Sequence, residues 1–126
     1  MSFGETIKKL RVARKQTLRQ FCFEFGHDPS NWSKIERGIN PPPKDEAALF
    51  RWATDLGLQA GSAEWSEFMD QASISRGQIP KDLMSDEKLL AKLPVFFRTV
   101  RGADLTDEKL NDLIETIRKV HSPDED

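Results

Sequence analysis

The side chains with the most chemistry to offer cluster in the first third of the chain. Lys15, Thr17 and Arg19 form one group; Pro29, Ser30, Asn31, Ser33, Lys34 and Arg37 form another. Ammonium, guanidinium, hydroxyl and amide groups at such spacings can donate to phosphate oxygens and to the polar edges of bases. Charge is distributed to match. Residues 1–37 hold eight Lys/Arg and four acids, a net of +4, whereas residues 59–126 hold nine basic and fourteen acidic residues, a net of −5. The whole chain, at −2, conceals this asymmetry. A basic end carried by an acidic body suits a protein that meets a polyanion with one end and does something else with the other. Charge alone would fit ordinary solvated helix faces equally well, so the local pattern has to decide.

Nothing in the chain points to catalysis. His27 and His121 fall in a turn and near the tail, without metal-ligand spacing. There is no phosphate loop, nucleophile elbow or His-Glu-x-x-His. The paired acids Asp45-Glu46, Asp86-Glu87 and Asp107-Glu108 open predicted helices, where they complement the helix dipole. The expectation is a protein that is not an enzyme and holds no cofactor and no metal. The one cysteine, Cys22, cannot form an internal disulfide and reads as a small buried hydrophobe, for which a reducing cytoplasm is the natural setting. The longest apolar run, residues 93–97, is far too short to span a membrane, and no signal peptide is expected.

The elements that position the donors are two short helices joined by a tight turn, within residues 17–38. Thr17 can cap the first and Gly26 can stop it, because glycine takes the left-handed conformation at little cost. Asp28 can cap the second, with Pro29 at the helical position that tolerates proline. Phe21, Phe25, Trp32 and Ile35 supply an apolar wedge, and small Cys22 lets the helices approach. Such a pair is a helix-turn-helix, whose usual business is double-stranded DNA. On a helical wheel, Trp32 and Ile35 point inward, and Ser30, Ser33, Lys34 and Arg37 occupy the opposite direction. Without the motif, these four are an ordinary polar helix face.

The run resembles the Cro/cI-like (Xre-type) helix-turn-helix family. The residues that carry the likeness are Cys22 and Gly26 four positions apart, and the terminal Ile35-Glu36-Arg37-Gly38. It extends to Ile7-Lys8-Lys9-Leu10-Arg11, similar to that family's first helix, and to residues 48–58, similar to its later helix ending in Leu-Gly. About half the chain is covered. The resemblance implies that Pro29, Ser30, Asn31 and Lys34 meet an operator, so the wheel and the family agree on Ser30 and Lys34. It implies an ion pair between Arg11 and Glu36 that locks the domain. It also implies a phosphate contact at the amino end of the first motif helix, near Lys15, Thr17 and Arg19. There the chain departs from the pattern: Leu18 stands where a glutamine is common, and Arg19 is the substitute.

The rest of the chain is expected to be all-α, completing a Cro/cI repressor-like domain of about five helices with a C-terminal helical extension. Helix one spans about residues 2–14, with Phe3, Ile7 and Leu10 on one face. Asn40-Pro41-Pro42-Pro43 is a stiff connector before a helix ending near Leu56. Ser62 caps a fifth helix carrying Trp65, Phe68, Met69 and Ala72, stopped by Gly77. Residues 78–81 read as a linker, which divides the chain into a DNA-binding domain at 1–77 and a helical region at 78–126. In that second region Ser85 is expected to open a short helix to Leu93 and Pro94 to start another. Thr106 caps a last helix whose stripe is Leu110, Leu113, Ile114, Ile117 and Val120, and the acidic tail at 122–126 is expected to be disordered. The apolar faces at 96–100 and 110–120 can pack on each other, on a second copy as a homodimer, or on a protein partner such as a small basic toxin.

Overall fold

The computed structural model describes residues 2–121. Among them the fold is all-α, with eight helices and no strand. These are α1 (Phe3–Ala13), α2 (Leu18–Phe25), α3 (Pro29–Glu36), α4 (Glu46–Asp55), α5 (Ala63–Ser75), α6 (Lys81–Met84), α7 (Glu87–Arg101) and α8 (Asp107–His121). The chain divides into two compact units, Met1–Asp82 and Leu83–Asp126. Residues 78–81, read as linker from sequence, thus fall in the first unit, and Lys81 Nζ lies 3.2 Å from Glu46 Oε2.

Helix boundaries in the first unit follow from side chains that take up orphaned amides. Ser2 Oγ accepts from the Glu5 amide at 3.2 Å, and Ser62 Oγ from the Trp65 amide at 3.1 Å. At α2, Thr17 Oγ1 accepts from the Gln20 amide at 3.2 Å while Gln20 Oε1 accepts from the Thr17 amide at 2.9 Å, a reciprocal capping box. Gly26 ends α2 with a φ of +74°. Two residues later the Asp28 carboxylate accepts from the Ser30 and Asn31 amides, each at 3.3 Å, and opens α3.

With ends fixed this way, α1 to α5 turn their apolar faces onto one core. Phe3, Ile7, Phe21, Cys22, Trp32, Ile35, Trp52, Ala53, Leu56, Phe68 and Ala72 are all buried. Its centre is aromatic: Trp32 and Trp52 stand 4.3 Å apart between centroids, and Phe21 packs on Trp32 at 4.8 Å. Each such ring contributes about 1.5–3 kcal/mol through burial. Trp32 therefore spends its surface on the core.

The second unit is α7 and α8 with the end of α6. Here the expectation of two helices meeting at Pro94 is corrected. α7 runs unbroken through Pro94, and Asp86 caps it in place of Ser85, its Oδ1 accepting from the Leu89 amide at 3.0 Å. Proline deletes one amide and crowds one carbonyl. At this exposed position water can serve that carbonyl, and the stripe Leu89, Leu93, Phe96, Phe97, Val100 continues at helical spacing on both sides. Thr106 Oγ1 accepts from the Lys109 amide at 3.2 Å and so caps α8. No residue of α7 is buried, and Phe96, Phe97, Leu110, Leu113, Ile114 and Ile117 remain exposed. The side chain of Val120 and the tail at 122–126 lie outside the described residues.

One close approach fixes α1 against α3. A Cβ added at Gly4 would collide with the carbonyl oxygens of Ile35 and Glu36. Alanine normally favours a helix over glycine by about 1 kcal/mol, but here the obstacle is backbone that cannot swing aside. We expect Gly4→Ala to lower stability by about 1–3 kcal/mol in urea unfolding, whereas an unchanged or raised midpoint would show that α1 is free to move away from α3.

Candidate nucleic-acid interface

The site begins with an inward-facing carboxylate. Glu36, at the last turn of α3, accepts from Arg11 Nε at 2.8 Å and from Arg11 Nη2 at 2.9 Å. It also accepts from Trp32 Nε1 at 2.7 Å. Arg11 Nη1 donates to the Gln16 carbonyl at 3.0 Å. One guanidinium thus joins α1, the α1–α2 turn and α3. The side chains of Arg11 and Glu36 are only 9 % and 5 % exposed, and the hydrogen bonds to Glu36 hold the Arg11 pKa above its ordinary value against the opposing effect of burial. Cys22 lies buried nearby; burial first, then the Glu36 charge, pushes its thiol up to about 11, so at neutral pH it is an uncharged hydrophobe.

With Trp32 and Ile35 inside and Glu36 satisfied, the other side of α3 faces out. Pro29, Ser30, Asn31, Lys34 and Arg37 are exposed. Lys34 makes no ion pair among the described residues. Arg37 caps the helix, and its Nε donates back to the Ser33 carbonyl at 3.3 Å, leaving other guanidinium hydrogens outward. One detail differs from the wheel, and one contact was outside its scope. Ser33 is only partly exposed, on the shoulder of the helix. Asn31 Oδ1 accepts from Asn40 Nδ2 at 3.1 Å, which ties this side chain to the segment after α3 and leaves its own amide hydrogens free to donate.

A second strip borders the first. The amides of Leu18 and Arg19 are the first of α2 and have no carbonyl one turn earlier in the helix to bond, an arrangement that attracts anionic oxygen. Thr17 and Arg19 are exposed beside them. Leu18, where the family pattern has glutamine, packs against the core instead. Lys15, also exposed, adopts a φ of +60°, the left-handed position after α1 where glycine is the usual occupant.

Acids that would repel a polyanion are occupied elsewhere. Glu36 is taken by Arg11 and Trp32, and Asp28 caps α3. Glu24 accepts from Gln16 Nε2 at 2.6 Å and lies 3.7 Å from Arg14, whose guanidinium also covers the Phe25 ring at 5.0 Å. Lys15, Arg19, Lys34 and Arg37 are left as outward charge.

Sequence reasoning passed over three residues. His27 Nε2 lies 2.8 Å from Asp55 Oδ2, with its ring against Phe21, Trp32 and Trp52. This pair fastens the α2–α3 turn to α4, and partners 28 residues apart give no local signal. Asn40 was read only as part of a connector. Phe23 is 92 % exposed on α2, beside Arg19 and Pro29 around a shallow cleft. Its place between buried Cys22 and solvated Glu24 was readable from the helical period. Among the described residues no group of His, Cys, Asp and Glu could hold a metal ion, and no helix is long and apolar enough to cross a membrane.

No protein-family model matches the chain, and comparison with curated proteins and with solved structures gave no match either. The geometry therefore carries the functional argument.

Removing one partner of a buried pair strands the other's charge. We expect Arg11→Met to cost about 3 kcal/mol or more in chemical unfolding, and Arg11→Met/Glu36→Leu to recover part of that loss. A single variant as stable as the parent would show that the pair is solvated.

Proposed function

We propose that this chain is a sequence-specific double-stranded DNA-binding transcriptional regulator, a homodimeric repressor of an inverted-repeat operator. The observation that carries the proposal is the outward face of α3. Ser30 and Lys34 stand there with no structural task, on a helix whose opposite face is locked by Trp32, Ile35 and Glu36. Lys34 can donate to the guanine O6/N7 edge, and Ser30 to either a base edge or the backbone. Thr17, Arg19, Lys15 and the first amides of α2 suit one phosphate strand, while Arg37 and Asn31 suit phosphates flanking the base contacts. A lysine kept in a backbone conformation that favours glycine fits a residue retained for its charge. Membership of the Cro/cI-like (Xre-type) family belongs to this same proposal, as does a non-enzymatic, cytoplasmic role without cofactor.

Pairing is part of the reading because one short helix reaches few base pairs. Two on a palindrome multiply both affinity and specificity. The exposed stripes of α7 and α8 are the surface assigned to it. Their exposure also favours one second reading, in which the acidic half resembles an antitoxin and holds a small basic toxin while the first unit represses its own operon. A small basic protein that co-purifies with the chain would select that reading.

Duplex fragments retained from a genomic pool define the operator. Lys34→Ala should then bind it more weakly with an unchanged melting temperature. If Lys34 reads guanine, discrimination at one base pair falls by about 1–3 kcal/mol. If it meets phosphate, binding falls evenly across sequences and the salt slope drops by about 1. A pool from which nothing is retained, or a variant with parental affinity, removes α3 from the function.

A further inference from the structure

Three phenylalanines stand on α2, and only two of them hold the fold. Phe21 is buried, Phe25 packs against the core, and their rings stand 4.9 Å apart. Phe23 points the other way. At 92 % exposure it is the most exposed large apolar side chain among the described residues. It takes part in none of their ring contacts. Exposure alone assigns such a ring nothing; its neighbours do.

Phe23 lies one turn along α2 from Arg19, and residues four apart share one side of a helix. Both line a shallow cleft with Pro29, the first residue of α3. Arg19 belongs to the strip at the amino end of α2 that suits phosphate, and Pro29 to the amino end of the candidate recognition helix. The ring therefore stands between the two strips, and a duplex seated on both covers it. In a helix-turn-helix the first helix crosses the backbone while the amino end of the second meets base edges. A side chain of α2 that borders Pro29 is thus placed at the rim of the major groove.

The chemistry of the ring narrows what it can meet there. Lys34 and Ser30 can donate to base edges, but a phenyl ring carries no donor for them. Covering a phosphate oxygen with it would remove water and return no hydrogen bond. In the major groove the bases show donors and acceptors with one apolar exception, the C5 methyl of thymine. That methyl is the base-edge group a phenyl ring covers at no polar cost.

We propose that Phe23 is a specificity residue whose ring packs on the C5 methyl of one thymine in each operator half-site. This rests on the DNA-binding reading above and adds to it a base preference that needs no hydrogen bond. The test replaces each thymine of the selected operator in turn by deoxyuridine, which lacks only that methyl, and measures binding by the parent chain and by Phe23→Ala. So exposed a residue should be truncated with an unchanged melting temperature. Phe23→Ala should bind the thymine operator about tenfold more weakly. Deoxyuridine at one position per half-site should weaken the parent by about fourfold, as expected for one apolar carbon, and leave Phe23→Ala unaffected. The proposal is overturned if Phe23→Ala binds as the parent does, or if no single methyl matters to the parent, a result that needs no variant. It is also overturned if every deoxyuridine costs the variant what it costs the parent, which would put the ring elsewhere. A genomic pool that yields no duplex at all removes the DNA-binding reading and this contact together, whereas the other three outcomes remove the contact alone.

Discussion

The geometry of the first unit depends on one carboxylate. Glu36 takes three hydrogen bonds from two residues, and those bonds reach α1 through Arg11 and the interior of α3 through Trp32. A buried charge is costly unless it is fully partnered, so the node tolerates little rotation of α3 about its own axis. What the outer side of α3 presents follows from that restriction. Trp32 cannot leave the core without giving up its bond to Glu36, and Lys34, two positions on, cannot then enter it. The close approach at Gly4 acts on the same end of α3 and limits sliding as the ion pair limits rotation.

The electrostatics of the candidate interface are a consequence of this internal pairing. A chain with a net charge of −2 is a poor prospect for a polyanion. The first unit resolves this locally: its acids near the α2–α3 pair cap a helix, complete the Arg11 node or meet Arg14 and Gln16. Cations without such tasks remain at the surface. At physiological salt, charges more than about 8 Å apart are largely screened, so it is this local surplus, and not the overall balance, that an approaching phosphate would meet.

Much of this was legible in the chain. Thr17 and Asp28 carry side-chain oxygens that can cap a helix, Gly26 takes the left-handed conformation cheaply and Pro29 has its φ fixed, and they stand where the observed caps and stop occur. Trp32 and Ile35 fix the inward side of α3 through the 3.6-residue period alone. Pro94 misled because a proline inside an amphipathic pattern can either start a helix or be tolerated within one. Only the continuity of the flanking apolar stripe, with Asp86 as a competent cap, separates the two outcomes. The His27–Asp55 bond was beyond reach, since it arises from residues that fold together and leave no spacing in the sequence. The Asn31–Asn40 bond belongs to the same class, since its partners lie nine residues apart and no helical period links them.

We propose that duplex DNA meets the chain on the surface formed by the outer face of α3 and the amino end of α2. Backbone amide chemical shifts, recorded while a selected operator duplex is titrated into the full-length protein, test it most directly. Large changes are expected only in residues 15–23 and 29–40, fading as salt is raised, with α5 little affected. Changes centred on α7 and α8 with α3 silent, or no salt-sensitive change anywhere, would contradict it.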